Sequence, residues 1–307
     1  MPDVISKNPI WSRVPLLRRW IARKKGKAAI NRLVAAHEFF AQLTQKESVA
    51  AVHFDHNGCY FSLADGRRYK FDPSRAVGRL YSVPFSGTFE KKETEYLKRL
   101  VRPDWVCFDV GACFGWYSIL FSQGTGAGGQ VHAFEPVPPN FQCLSENVAL
   151  NGAVNVVLDK RALGDQAGVL KLYLPREGVS ASLRPHASVS ECEVIEAQVT
   201  TLDEYVSRMG IQRLDLLKAD IEGAELLLLK GGMATLRKFK PTLLLEIQAH
   251  STRLFGYEPN AVFSLLSELG YRAGYVQEDG SLTAFDHKDV IRLPDYNFVF
   301  THPGRES

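Results

Sequence analysis

Residues 107–116 read Cys107-Phe108-Asp109-Val110-Gly111-Ala112-Cys113-Phe114-Gly115-Trp116. An apolar run closes on an acid, turns on glycine and opens into a helical pattern. A glycine-bearing turn between strand and helix lets a ligand approach the backbone closely. Two details narrow the ligand. Cys113 stands where a dinucleotide fingerprint carries its middle glycine, which compromises close approach of a pyrophosphate. Asp109 adds a carboxylate at the strand end, which repels phosphate and attracts an ammonium group.

The pattern continues outward from this turn. Strand-like runs are expected at 106–110, 130–134, 155–159, 214–220, 242–247, 271–276 and 297–301. Helical patterns fall between them at 116–122, 139–150, 224–236 and 261–269. Such alternation predicts an α/β fold, a mostly parallel sheet covered by helices on both faces, with ligands at the carboxyl ends of the strands. Residues 169–174 and 193–199 read as a pair of longer strands flanking a polar stretch, 176–191, that suits a lid over the site. The second strand runs into Glu135-Pro136. An acid about 20–25 residues past the glycine turn can accept both hydroxyls of a ribose. Asp109 and Glu135 on successive strand ends, without a phosphate cradle, point to S-adenosylmethionine.

Composition limits the alternatives. The 307 residues carry 37 Lys and Arg against 34 Asp and Glu, a net charge of +3. A protein built around nucleic acid would show a stronger basic excess. No apolar run approaches the roughly 20 residues that span a bilayer, and the amino terminus lacks the apolar core of a secretory signal. Five cysteines without a Cys-x-x-Cys pair fit neither a disulfide framework nor a zinc knuckle. The expected compartment is cytoplasmic, and no metal site is expected.

Residues 1–85 are read as a basic helical arm followed by a small β meander, and 86–307 as the α/β domain. Arg18, Arg19, Arg23, Lys24 and Lys25 interleave with Trp11, Leu16 and Trp20, with Gly26 as a break. The arm suits either an ordinary docked helix or peripheral contact with anionic lipid. Residues 49–55, 59–63 and 67–71 alternate like strands, separated by Asn57-Gly58 and Asp65-Gly66, dipeptides that favour tight hairpins.

Taken together, Asp109-Val-Gly-Ala-Cys-Phe-Gly-Trp-Tyr-Ser118, Ala133-Phe-Glu-Pro136, Arg161-Ala-Leu-Gly-Asp165, Thr201-Leu-Asp203 and Asp215-Leu-Leu-Lys-Ala-Asp-Ile-Glu-Gly-Ala-Glu225 resemble the FkbM family of methyltransferases over roughly residues 87–276. The resemblance implies a class I Rossmann-like fold and methyl transfer to a hydroxyl of a sugar, glycan or natural product. It also implies cofactor contacts from Asp109, Gly111, Ala112, Cys113, Gly115, Glu135, Pro136, Arg161 and Ala162. The family usually has Asn where this chain has Cys113, so a side-chain hydrogen bond to the cofactor is expected to be lost there.

Candidate chemistry lies at the fourth and fifth strand ends. Alternation puts Lys218 and Asp220 on one side of the strand. Asp220 can take a proton or, with Glu222, hold a divalent cation; alternatively both serve the next helix start. On a continued fifth strand Glu246, Gln248 and His250 share a face, which makes His250 a candidate base. The reading favours a small-molecule or glycan acceptor and leaves a homo-oligomer open. A nucleic-acid methyltransferase using the basic arm and a non-catalytic cofactor-binding scaffold are the alternatives. Against the first, no Asn/Asp-Pro-Pro-aromatic motif follows the fourth strand, where the text is Asp220-Ile-Glu-Gly.

Overall fold

Short β-branched and leucine-rich runs bounded by glycine or proline set the strands, and at the centre of the largest sheet they are buried on both faces. The computed structural model describes residues 24, 26–28, 30, 31, 34, 38, 41, 49–55, 58–71, 90–175, 192–285 and 296–304. The proposed lid, 176–191, and the arm tryptophans Trp11 and Trp20 lie outside the described residues. The described positions between 24 and 41 are helical, Gly26 included. The expected break is absent there, since one interior glycine costs a helix only about 1 kcal/mol.

Eight strands form the main sheet. In chain order they are β4 (Val106–Val110), β5 (Gln130–Phe134), β6 (Val156–Asp159), β10 (Leu216–Ala219), β11 (Thr242–Glu246), β12 (Arg272–Val276), β13 (Leu282–Ala284) and β14 (Asn297–Thr301). Their spatial order is β13-β12-β14-β11-β10-β4-β5-β6. Strands β6, β5, β4, β10 and β11 run parallel, while β14 is antiparallel to both of its neighbours. The chain enters at β4, moves outward through β5 and β6, and returns to β10 on the other side. The chain therefore leaves β4 and β10 toward opposite sides, and a crevice opens beyond these two strand ends at the switch point. All four residues of β10 are buried, Lys218 included, as expected for a strand covered on both faces. This is the Rossmann-like arrangement that the resemblance implied. Among the described residues no helix is long and apolar enough to cross a membrane.

The covering helices are α1 (Lys91–Leu100), α2 (Trp116–Thr125), α3 (Pro138–Leu150), α4 (Leu202–Arg208), α5 (Glu225–Lys230), α6 (Met233–Phe239), α7 (Ala249–Leu254) and α8 (Asn260–Glu268). The single helix expected at 224–236 is two. Gly231 lies so close to Gly164 that a Cβ would fall 2.0 Å from its carbonyl oxygen, and Gly232 abuts Leu202. Asp203 then caps the second piece, accepting from the amides of Ala234 and Thr235 at 3.0 and 2.7 Å. Thr201 caps α4 by accepting from the Glu204 amide. The Thr201-Leu-Asp203 motif thus fastens helix starts.

The meander forms as expected, with β1 (Val49–Asp55), β2 (Gly58–Leu63) and β3 (Arg68–Phe71) antiparallel in sequence order. It is tied directly to the glycine turn. On α3, Asn147 accepts from the Lys70 amide at 2.8 Å and donates to the Phe114 carbonyl at 2.9 Å. Asn151 exchanges two bonds with the backbone of Arg68. These side chains satisfy the open edge of β3, where a further strand would otherwise pair. Buried Arg67 stacks 4.2 Å from the Trp116 ring and donates to the Trp116 carbonyl. A third sheet, ordered β7-β9-β8, carries β7 (Ala162–Gly164), β8 (Gly168–Pro175) and β9 (Cys192–Thr201). Here β8 and β9, the two longer strands expected on either side of the polar stretch, pair antiparallel.

Candidate active site

The crevice holds a cavity of about 320 Å³, within the usual range for small-ligand sites. One side is the glycine turn. Gly111 has φ 74°, and a Cβ on it would lie 1.9 Å from the Asp220 carbonyl oxygen. Only glycine lets the β4 and β10 loops touch. Lys218 Nζ adds a bond to the Gly111 carbonyl at 3.2 Å. Glu135 anchors the turn from the β5 end. Its Oε2 accepts from the Cys113 amide at 2.8 Å and its Oε1 from the Val137 amide at 2.9 Å. Burial pushes the Glu135 carboxyl up to about 7, against the pull of those amides and of Asn140.

The opposite end collects further acids. Glu90, Asp220, Glu222 and Glu246 all line the cavity. Tyr117 donates to Glu90 Oε2 at 2.5 Å. Buried Lys218 lies behind this wall, 3.7 Å from both Asp109 Oδ1 and Asp220 Oδ2. Burial works to lower the Lys218 pKa, but Asp220, Asp109 and Glu90 outweigh it and hold the ammonium charged above its ordinary range. Glu246 is hydrogen-bonded to Asp220 and Gln248. Burial first, and then the neighbouring Asp220 charge, push it up to about 9. Burial and the Asp220 charge thus favour the protonated form of Glu246.

Most of the residues expected from sequence meet here. Gly111, Cys113, Glu135, Pro136, Arg161, Ala162, Asp220 and Glu222 line one cavity. Three cofactor candidates do not. Asp109 is 1% exposed and turned from the cavity, accepting from Ser118 Oγ at 2.5 Å. Ala112 packs with Ala133 and Leu144, and Gly115 lets α2 start against Leu144. His250 also departs from expectation. β11 stops at Glu246, and His250 is an exposed residue of α7 outside the cavity wall. The alternation that put it beside Glu246 ends with the strand. No side chain caps the start of α5. The amides of Ile221 and Gly223 are taken by Glu225, while Glu222 adopts a left-handed φ of 55°. Sequence reasoning missed Glu90, whose φ of 40° precedes α1, and the wall residues Leu170, Leu172 and Phe255. Glu90 lies in no glycine motif, so its only signal was an acid just before a helix.

Among the described lining residues five are acids and one, Arg161, is basic; Arg161 is already paired with Asp159. Such a wall repels phosphate and suits a cationic ligand. No group of three or more His, Cys, Asp or Glu among the described residues converges as a metal requires.

Residues 109–273 match the model of the methyltransferase FkbM domain, more than half of the chain. The chain belongs to the FkbM methyltransferase family. It is 30% identical over 159 residues to the 31-O-demethyl-FK506 methyltransferase FkbM of Streptomyces tacrolimicus, covering 43% of this chain and 60% of that protein. It is equally identical over 152 residues to the methyltransferase sdnD of Sordaria araneosa, covering 40% and 58%. The chain thus spans less than two thirds of the length of these curated relatives. Among solved structures, the FkbM methyltransferase of Methylobacillus flagellatus KT aligns at 18% identity with a TM-score of 0.41, over 74% of this chain and 53% of that one. The methyl donor of this FkbM methyltransferase is S-adenosylmethionine. The cavity fits it: Gly111 keeps the wall clear, and the cationic donor meets the acids that line it.

The Cys113 position has a backbone explanation. Its φ is 51°, in the left-handed region where Asn is several-fold enriched over other non-glycine residues. The family's usual Asn therefore suits the turn itself, whatever it offers the cofactor. Cys113→Asn is expected to raise the melting temperature and leave affinity for S-adenosylhomocysteine within about twofold, because the residue's amide, not its side chain, holds Glu135. A loss of affinity in calorimetry would show that the thiol itself is part of the site.

Glu246 also sets a pH dependence. Its carboxyl loses its proton near 4.5 when unfolded and near 9 when folded. The folded state binds more protons across that window, so this contribution is fully present below about pH 4.5 and is lost as pH rises toward about 9. Glu246→Gln should flatten the decline in melting temperature between about pH 5 and 9. A decline parallel to that of the unaltered protein would rule the carboxyl out as its source.

Proposed function

We propose that this FkbM methyltransferase methylates a hydroxyl oxygen of an uncharged small molecule or glycan, with Asp220 as the base. The observation that carries this reading is the Asp220 carboxylate on the cavity wall, held between Lys218 and the protonated Glu246. A hydroxyl is a poor nucleophile until its proton is taken, and a positioned carboxylate within reach takes it as the new bond forms. When bound, S-adenosylmethionine supplies an electrophilic methyl group. Lys218 keeps Asp220 in place through their ion pair, and Glu246 receives part of its charge through their hydrogen bond. Placement favours Asp220 over His250, which is exposed on α7.

Two further points support a neutral hydroxyl acceptor. The acids on the wall disfavour carboxylates and phosphates. Leu170, Leu172 and Phe255 add apolar surface for the carbon skeleton of an acceptor. One relative is, by its name, a methyltransferase of an O-demethyl compound, and that chemistry is the one adopted here.

Asp220→Asn keeps the shape of the side chain and removes the base. Turnover should fall by about 10²–10⁴-fold, the usual contribution of general-base catalysis, while affinity for S-adenosylhomocysteine stays within about twofold. The product formed from fractionated extract should carry its new methyl on oxygen by NMR. An N-methyl or C-methyl product, or full activity in Asp220→Asn, would overturn the reading.

A further inference from the structure

The acids of the cavity are not spread evenly. Glu135, with Asn140 and Arg161, belongs to the side beyond β5 and β6, whereas Asp220 and Glu246 end β10 and β11. Glu90 joins the second group from the start of α1, outside the residues that match the family model. Its charge interacts with those of Asp220 and Lys218, and Tyr117 fixes its orientation at 2.5 Å.

Behind this wall the charges do not balance. Lys218 is shared among Asp109, Asp220 and Glu90. Asp109 Oδ1 is buried and has no hydrogen-bond partner, with Lys218 Nζ at 3.7 Å. An orphaned buried carboxylate oxygen marks a place where one more positive charge is favourable. Asp109 is turned from the cavity, but Asp220, which shares Lys218 with it, lines the cavity together with Glu90 and Glu246, at the end where the proposed base places the reacting atoms.

We propose that Glu90, together with Asp220 and Glu246, forms a cation-selective end of the cavity, which holds the cationic methyl donor in preference to the neutral thioether left after transfer. Methyl transfer turns a sulfonium into a thioether, so a negative wall loses its partner when the reaction is complete. The wall thus favours donor binding and product departure. It does not by itself lower the barrier, because the sulfonium charge is already falling in the transition state. Glu90 is a specificity-determining residue in this scheme. The proposal rests on the cofactor and takes the reacting end of the cavity from the proposed base, Asp220.

Proton bookkeeping gives the wall a second signature. Burial, and then the Asp220 charge, raise Glu90 to about 7, with Lys218, Tyr117 and Glu93 as its other neighbours. Glu246 faces Asp220, Glu222 and Gln248 and is raised to about 9. A cation arriving here pulls both values down, so protons leave as it binds.

The test is calorimetry of two ligands of matched shape on the full chain. S-adenosylhomocysteine is neutral at sulfur, whereas sinefungin carries an ammonium group in place of the methyl sulfonium. The unaltered protein should bind sinefungin about tenfold or more tightly than S-adenosylhomocysteine. Glu90→Gln should cut that ratio by about fivefold and leave S-adenosylhomocysteine within about twofold. In the unaltered protein, sinefungin heats should differ between buffers of high and low ionisation enthalpy, showing proton release, and S-adenosylhomocysteine heats should not. A ratio near one, an unchanged ratio in Glu90→Gln, or proton release equal for both ligands would overturn the proposal. Failure of hydroxyl methylation would appear in the product spectrum and leave these ratios untouched.

Discussion

The contact between the Gly111 backbone and the Asp220 carbonyl governs this site. Two strand ends that carry opposite parts of the chemistry are pressed together there, leaving no room for a Cβ. Once they touch, the other interactions fall into place. Lys218 reaches the Gly111 carbonyl, Glu135 takes the Cys113 amide, and Asn147 ties the same turn to the meander. The meander is therefore part of what holds the glycine turn. Its Arg67 donates to the carbonyl of the first residue of α2, so residues outside the family match support residues inside it.

Electrostatics adds a second layer. Dinucleotide sites use amides and cations to hold phosphates. Here the one basic side chain among the described lining residues is already paired, and the acids face inward. Isolated, such a wall is costly, and the raised values of Glu90, Glu135 and Glu246 express that cost as retained protons. A cationic donor relieves it. Ligand choice and proton release are thus two expressions of one charge imbalance.

Much of this was legible in the sequence, and what was not has identifiable causes. Hydrophobic runs and glycine turns located β4, β5, β10 and β11, because central parallel strands are apolar throughout. Glu135 and Asp220 were found because they end such strands. His250 was misplaced because alternation was extended past Glu246, and no local signal separates a strand's last residue from the loop beyond it. Asp109 was read as facing the ligand, but tertiary packing turned it toward Ser118 and Lys218. Helices α5 and α6 were merged because the Gly231-Gly232 break is enforced by Gly164 and Leu202, which are remote in sequence. Glu90 was invisible for the same reason: its partners Tyr117 and Asp220 meet it only in the fold.

We propose that Glu135, which joins the glycine turn to the end of β5, also holds the ribose of the cofactor. Calorimetry of S-adenosylhomocysteine on Glu135→Gln tests it most directly, since shape is kept and charge removed. The loss of a charged hydrogen bond, worth about 1.5–3 kcal/mol, predicts affinity reduced by about tenfold or more. Affinity equal to that of the unaltered protein, in a folded variant, would contradict the account.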